Sequence, residues 1–169
     1  MKVRRVVTGH NEKGRSVLVA DAELDVPELP GIGPIFQAWS ADEPATYPGP
    51  GLNPEAGGYF PPVGGVRMLI STLNPGYGMD EVAEQHGLDT VAPDVAGAME
   101  DDAPGMHTTD TTDFEVILSG TVVMELDDGV EIQLGPGDVV VQNGTRHRWR
   151  NPGPEPITMA VFMVGAHRT

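Results

Sequence analysis

The sequence predicts an all-β chain, built as a sandwich, jelly roll or barrel. Three observations carry that reading. Glycine and proline are abundant, 22 and 16 of 169 residues, which favours many short strands over a few long helices. Six apolar runs follow one another in the C-terminal part at intervals of about ten residues. Asp127-Asp128-Gly129 and Asn143-Gly144 stand between such runs, and Asp-Gly and Asn-Gly pairs are strong hairpin signals.

Those runs are Phe114–Leu118, Thr121–Leu126, Val130–Leu134, Asp138–Gln142, Arg146–Arg150 and Ile157–Val164, separated by Ser119-Gly120, Gly135-Pro136-Gly137 and Asn151-Pro152-Gly153 as well as the two pairs above. In the N-terminal part, up to about residue 73, Arg15–Ala20, Ile35–Trp39 and Arg67–Leu73 read as strands. Pro44–Gly65 is too rich in Pro and Gly for a strand or helix and reads as a loop held by packing. The stretch 74–106 carries Asp80, Glu81, Glu84, Asp89, Asp94, Glu100, Asp101 and Asp102. It reads as an irregular acidic insertion, either a functional lid or a mobile segment, with one short helix over Asp80–His86 ended by Gly87. All 169 residues are expected to form one domain.

Composition removes several classes of function. The chain has no Cys, so disulfides, thiolate zinc sites, iron–sulfur clusters and cysteine nucleophiles are excluded. A formal charge of −15 opposes nucleic acid and anionic membranes, whose binding needs cationic surface. No apolar run approaches the ~20 residues of a membrane span. The basic Met1–Arg5 segment is followed by Thr8-Gly9-His10-Asn11-Glu12 where a signal peptide would be apolar. The expectation is a soluble, cytoplasmic protein that binds neither nucleic acid nor membrane.

Side chains alternate along a strand. His107 and Thr109 therefore share a face, as do Asp113 and Glu115, and as do His147 and Trp149. Arg146, Arg148 and Arg150 take the opposite face. If the first three pairs point inward, two imidazoles and one or two carboxylates converge, a donor set known from non-haem iron sites.

The segment also resembles the cupins, small jelly-roll barrels with two sequence motifs, G-x5-H-x-H-x3,4-E-x6-G and G-x5-P-x-G-x2-H-x3-N. His107, Asp113 and Gly120 match the first in register, with Thr109 in place of its second His and Asp113 in place of its Glu. Gly137, His147 and Asn151 match the second, with Asn143-Gly144 as a shortened turn. Met106 to Asp113 also resembles a Met-His-x-Thr-x-Thr-x-Asp subgroup of small cupins. The resemblance covers about 60 residues, and it implies a cupin-type jelly-roll barrel with extra N-terminal strands and a long acidic insertion.

For the site, the resemblance implies a divalent metal ion (Fe, Zn, Mn or Ni) held by His107, Asp113 and His147. The alternative is the same residues in a metal-free pocket. Asp113 and Glu115 are the candidate catalytic groups, Glu115 as a proton shuttle, and Thr109 and Trp149 are pocket residues. Asp113 could instead orient His107 or cap a turn, and Glu115 could be a salt-bridged barrel residue. Trp149, Phe36, Phe162, Met124, Met159 and Met163 read as barrel core. Arg146, Arg148 and Arg150 read as an outer face or a partner for the acidic insertion, with a substrate-carboxylate clamp as the functional alternative. Tyr59 and Tyr77 could close over the pocket, whereas His10, His86 and His167 lack any such context. Three functions follow. The first is a lyase-like enzyme (decarboxylation, dehydration or enolisation) on a small oxygenated metabolite, its metal a Lewis acid. The second is an Fe(II)-dependent dioxygenase, and the third a metal-free binding module. The expected partners are a small-molecule substrate and, through edge strands, a second copy in a homodimer.

Overall fold

A computed structural model describes residues 2–25, 28–29, 32–53, 57–79 and 93–169. Its strands are β1 (Arg4–His10), β2 (Ser16–Glu23), β3 (Glu28–Leu29), β4 (Gly33–Ala41), β5 (Val66–Leu73), β6 (Thr111–Ser119), β7 (Val122–Glu125), β8 (Glu131–Leu134), β9 (Val139–Gln142), β10 (Arg148–Arg150) and β11 (Ile157–Gly165). One short helix, α1 (Pro93–Ala98), precedes β6. The helix expected over Asp80–His86 lies outside the described residues. Among the described residues, no helix is long and apolar enough to cross a membrane.

The fold is an all-β, barrel-like antiparallel architecture. A six-stranded sheet runs β3-β4-β5-β11-β6-β9, a three-stranded sheet runs β10-β7-β8, and β1-β2 form a separate hairpin. N-terminal β4 and β5 thus belong to the same sheet as the motif-bearing strands. The inner faces of both larger sheets meet in one core, where Leu69, Ile117, Met159 and Val161 of the large sheet cluster with Val122, Met124, Leu134 and Trp149 of the small one.

Local chemistry explains the connections. Between β7 and β8, Asp128 and Gly129 both take positive φ, 60° and 70°. Positive φ at both central positions is the type I′ turn that an Asp-Gly pair favours, and it is closed by Val130 N–H donating to Asp127 O and Leu126 N–H to Val130 O. Asn151 is fully buried. Its amide donates to Leu73 O (3.1 Å) and Glu155 O (2.9 Å) and accepts from Gly153 N–H (3.0 Å). The motif asparagine therefore ties the end of β5 to the turn before β11.

The outer face of the large sheet is apolar. Trp39, Met68, Phe162, Phe114 and Val141 align across five strands in one row, and Phe36, Ile70, Ala160, Val116 and Val139 in the next. Phe36 is wholly buried, but Phe114, Phe162, Val139 and Val141 are 43, 37, 61 and 51% exposed. Phe162 is thus an outer-face residue and not barrel core. Both faces of β11 are apolar, so sequence alternation alone cannot tell which points inward.

Candidate functional site

His107 and His147 are paired by backbone hydrogen bonds in both directions, 2.9 and 3.0 Å. A hydrogen-bonded antiparallel pair places its two side chains on one face, and the imidazole centroids lie 4.2 Å apart. Each ring meets a carbonyl two residues back, His107 Nδ1 at Gly105 O and His147 Nδ1 at Thr145 O, both at 3.0 Å. A carbonyl only accepts, so Nδ1 carries the proton in both rings and each Nε2 keeps a lone pair.

A cavity of about 100 Å³ opens over this pair. Its polar wall includes Thr109, Asp113, Glu115 and Ser71; Trp149, Met159, Met163 and Leu69 form part of the apolar wall. Strand β6 delivers Asp113 and Glu115 two residues apart on its inner face, both nearly fully buried. Thr109 hydroxyl bonds Thr111 hydroxyl at 2.8 Å, and Thr111 in turn bonds Asp113. Asp113 Oδ1 and Glu115 Oε2 are buried without a hydrogen-bond partner.

The cavity's far wall comes from segments where sequence reasoning found little. Ser71 and Leu69 lie on the inner face of β5, and Val95 and Met99 come from α1 and the turn after it. Asp94 at the start of α1 accepts the Tyr59 backbone N–H, which seats Tyr59 and Phe60 at the wall. Tyr77 is held by Gly76 N–H donating to Asn151 O and Asn151 N–H to Tyr77 O. Gly78 is required beside it, since its φ is +71° and a Cβ there would lie 2.3 Å from Trp149 O. Tyr59 and Tyr77 both line the cavity.

The three arginines of the 146–150 run point away. Arg146 pairs with Glu100 (2.7 Å) and Asp127 (2.8 Å), Arg148 with Glu125 (2.8 Å), and Arg150 with Glu125 (3.3 Å) and Glu131 (2.5 Å). Arg146 therefore does meet an acid of the insertion, and none of the three clamps a ligand in the cavity.

Burial sets the protonation of the site. It pushes Glu115 up to about 8, helped by the charge of Asp113, and Asp113 up to about 6, partly offset by the bond from Thr111. Burial lowers both imidazoles, His147 to about 4 with His107 beside it adding to the effect. Near neutrality the pocket therefore holds two neutral imidazoles, a Glu115 acid and an Asp113 carboxylate. Two carboxyl groups whose environments separate their protonation states form an acid–base pair.

These shifts predict a pH dependence for the metal-free protein. A raised carboxyl stabilises the fold fully below its unfolded value, 4.5 for Glu115, and loses that contribution as pH rises to about 8. His147 acts the other way and loses its contribution as pH falls from 6.5 towards 4. Between 4.5 and 6.5 the losses from Glu115 and from Asp113, itself raised to about 6, oppose the recovery at His147, and above 6.5 the Glu115 loss dominates. Glu115→Gln keeps the position neutral, so at pH 8 it should gain on the order of 2 kcal/mol, about 4–8 °C in melting temperature, with no gain at pH 4.5. Equal shifts at the two pH values in chelator-treated protein would refute this account.

Among the described residues, no three His, Cys, Asp or Glu side chains converge to hold a metal ion as they stand. The donor set nonetheless fits one in kind. Both Nε2 lone pairs are free, each Nδ1–H is anchored on a carbonyl as metal-bound imidazoles usually are, and two buried carboxylate oxygens nearby lack partners.

A strand-built barrel with histidines and carboxylates buried at a cavity in its core is an architecture in which ligand sites are commonly built. Residues 98–164 match the family model described as the Cupin domain, the same part of the chain that carries the motif resemblance. Oryzines biosynthesis cluster protein J of Aspergillus oryzae is 38% identical over 61 residues, 36% of this chain and 34% of that protein. The cupin-domain-containing oxidoreductase fogC of Aspergillus ruber is 40% identical over 55 residues, 30% of this chain and 27% of its own. The matches thus span about a third or less of these relatives' lengths. Among solved structures, the cupin domain of an XRE family transcriptional regulator from Enterobacter cloacae is 18% identical. That match covers 60% of this chain and 83% of the other, with a TM-score of 0.39.

Proposed function

We propose that the chain is an enzyme that moves protons on a small oxygenated metabolite, by enolisation, dehydration or decarboxylation, at a site of His107, His147, Asp113 and Glu115. The observation that carries this is the acid–base pair, two buried carboxyl groups with unpartnered oxygens at one cavity. Relatives named for a biosynthesis cluster and as an oxidoreductase support an enzyme over a binding module.

His107, His147 and Asp113 would hold a divalent metal ion, which when bound supplies Lewis-acid polarisation of a substrate oxygen. Asp113 Oδ1 accepts a proton from the carbon next to the polarised carbonyl group. Glu115, protonated at neutral pH, donates one to a leaving or developing oxygen. Thr109 and Thr111 hold Asp113 in place through their hydroxyl chain. Trp149, Leu69 and Met163 keep bulk water from the exchanging proton. The test is exchange of the carbon-bound hydrogen of small hydroxyketones in D₂O, followed by NMR. Exchange should be catalysed by the protein and reduced about 100-fold or more in Asp113→Asn, the upper part of the range for general base catalysis. Exchange that survives in Asp113→Asn would remove Asp113 as the base, and absence of exchange alongside protein-dependent oxygen uptake would move the reading to the Fe(II) dioxygenase.

We propose further that the second copy expected as partner docks on the outer face of the large sheet. Two aligned rows there carry ten apolar residues and no charge, the kind of surface on which two chains of charge −15 can meet without repulsion. Phe114→Asp should convert a dimer to a monomer in light scattering; a wild-type monomer at 100 µM, or a dimer that survives the substitution, would refute it.

A further inference from the structure

The chain contains ten Lys and Arg. All ten lie among the described residues, and none lines the cavity. This distribution is built and not incidental. Arg67, wholly buried only a few residues from the cavity wall in β5, is turned aside into a cage of backbone carbonyls and Asp42. Arg146, Arg148 and Arg150 flank the cavity residues His147 and Trp149 in sequence, yet all are consumed by Glu100, Asp127, Glu125 and Glu131 on the opposite face. The ionisable groups that do reach the cavity are two carboxyl groups and two imidazoles whose Nδ1–H groups are held by backbone carbonyls.

We infer that the site selects an uncharged substrate of about six non-hydrogen atoms, bearing a carbonyl next to a hydroxyl, and rejects its carboxylate analogue. This rests on the proposed acid–base reading of the same cavity and adds the substrate class to it. The size follows from the volume. A cavity of about 150 Å³ accepts benzene, itself six non-hydrogen atoms, so about 100 Å³ makes six such atoms the upper end of what fits. The charge preference follows from the walls. A substrate carboxylate would lose its hydration against Leu69, Met159, Val161 and Met163, meet no protein cation, and face Asp113 and Glu115. Burying an ion without a paired charge carries a heavy penalty. A ketone or amide oxygen loses far less, and a hydroxyl can donate to a free Nε2 of His107 or His147.

Three molecules of nearly one shape test this: acetoin, lactamide and lactate, which differ only in methyl, amide or carboxylate at one end. Each is titrated into the protein as purified and again after chelator treatment, with the methyl resonances of Met99, Met159 and Met163 as the readout, because these three line the cavity. Acetoin and lactamide should shift those methyls with at least tenfold higher affinity than lactate in the chelator-treated protein, where no metal ion pairs with the carboxylate. Lactate binding as tightly as lactamide there would overturn the inference while leaving a small-molecule site standing. If none of the three moves these methyls in either preparation, the small-molecule site itself falls and the inference falls with it.

Discussion

Protein with alanine at both His107 and His147 should leave a chelator-free purification without metal, whereas the parent chain carries a near-stoichiometric divalent ion by elemental analysis. The same pair of variants should separate in thermal melts. An ion present at about 100 times its dissociation constant stabilises the native state by about 2.7 kcal/mol. For a chain of this size that raises the melting temperature by about 5–10 °C. The double variant should show no rise with Fe(II), Zn, Mn or Ni, and each single variant should bind about 100-fold more weakly, at least as much as loss of a second-shell partner costs. The comparison is made within each protein, with and without ion, because both imidazoles also donate to carbonyls at 3.0 Å and their removal costs about 1 kcal/mol each on its own account. His10→Ala, at a histidine outside the cavity, should leave the metal response unchanged. A parent chain that stays metal-free after incubation with all four ions would sink the metal centre and leave Asp113 and Glu115 as a metal-free acid–base pair.

Arg67→Met should be the most destabilising single substitution outside the site, with a loss of about 3–5 kcal/mol, the usual result of breaking a buried ion pair. Arg67 is wholly buried. Its guanidinium donates to the carbonyls of Gly58 (3.1 Å), Ala41 (3.1 Å), Val66 (2.9 Å) and Phe60 (3.3 Å) and pairs with Asp42 at 2.6 Å. Methionine fills much of the volume but leaves these acceptors without a donor. Arg67→Lys keeps the charge but cannot fan out to five acceptors, so it should fall between the two. Asp42→Asn should cost least, since Asp42 is about one-third exposed (35%). Urea melts order the series, and a loss under about 1 kcal/mol for Arg67→Met would refute the account. Because Gly58 and Phe60 flank Tyr59 in the cavity wall, the same substitution should loosen the pocket before the barrel unfolds.

The hairpin-rich part of the chain was legible because local rules there agree with one another. Strands β6 to β11 fall where the apolar runs stand, and the Asp-Gly pair makes the turn its chemistry favours. Period-two alternation alone places Asp113 and Glu115 together, and His147 with Trp149, on the side that faces the cavity. Strand β1 escaped notice because its buried and half-buried positions are Arg5, Val7, Gly9 and His10, which show no apolar alternation in the sequence. Helix α1 is six residues long and includes a glycine; Pro93 and Asp94 in its first turn were its sequence signals. The inner walls from Leu69, Ser71 and Met99 carry no motif, because a cavity wall and a core are built from the same residue types. The adjacency of the two imidazoles also depends on a cross-strand pairing forty residues apart in sequence, which no local pattern encodes.

The order of strands in the large sheet governs how the chain can be made. Strand β5 pairs with β4 on one side and with β11 on the other, and β11 alone joins it to β6. A nascent chain that has released the first 106 residues therefore presents β5 as an open edge, and one that has released β6 and β9 holds a second, separate half-sheet. Neither half can close on the other until synthesis reaches Gly165, since the strand between them is translated after both. Non-local closure of this kind is slow, and an uncovered apolar edge in the interval invites pairing with another chain. Translation that stalls before Ile157 should thus yield two half-sheets that aggregate, and the burden on chaperones should peak just before β11 emerges.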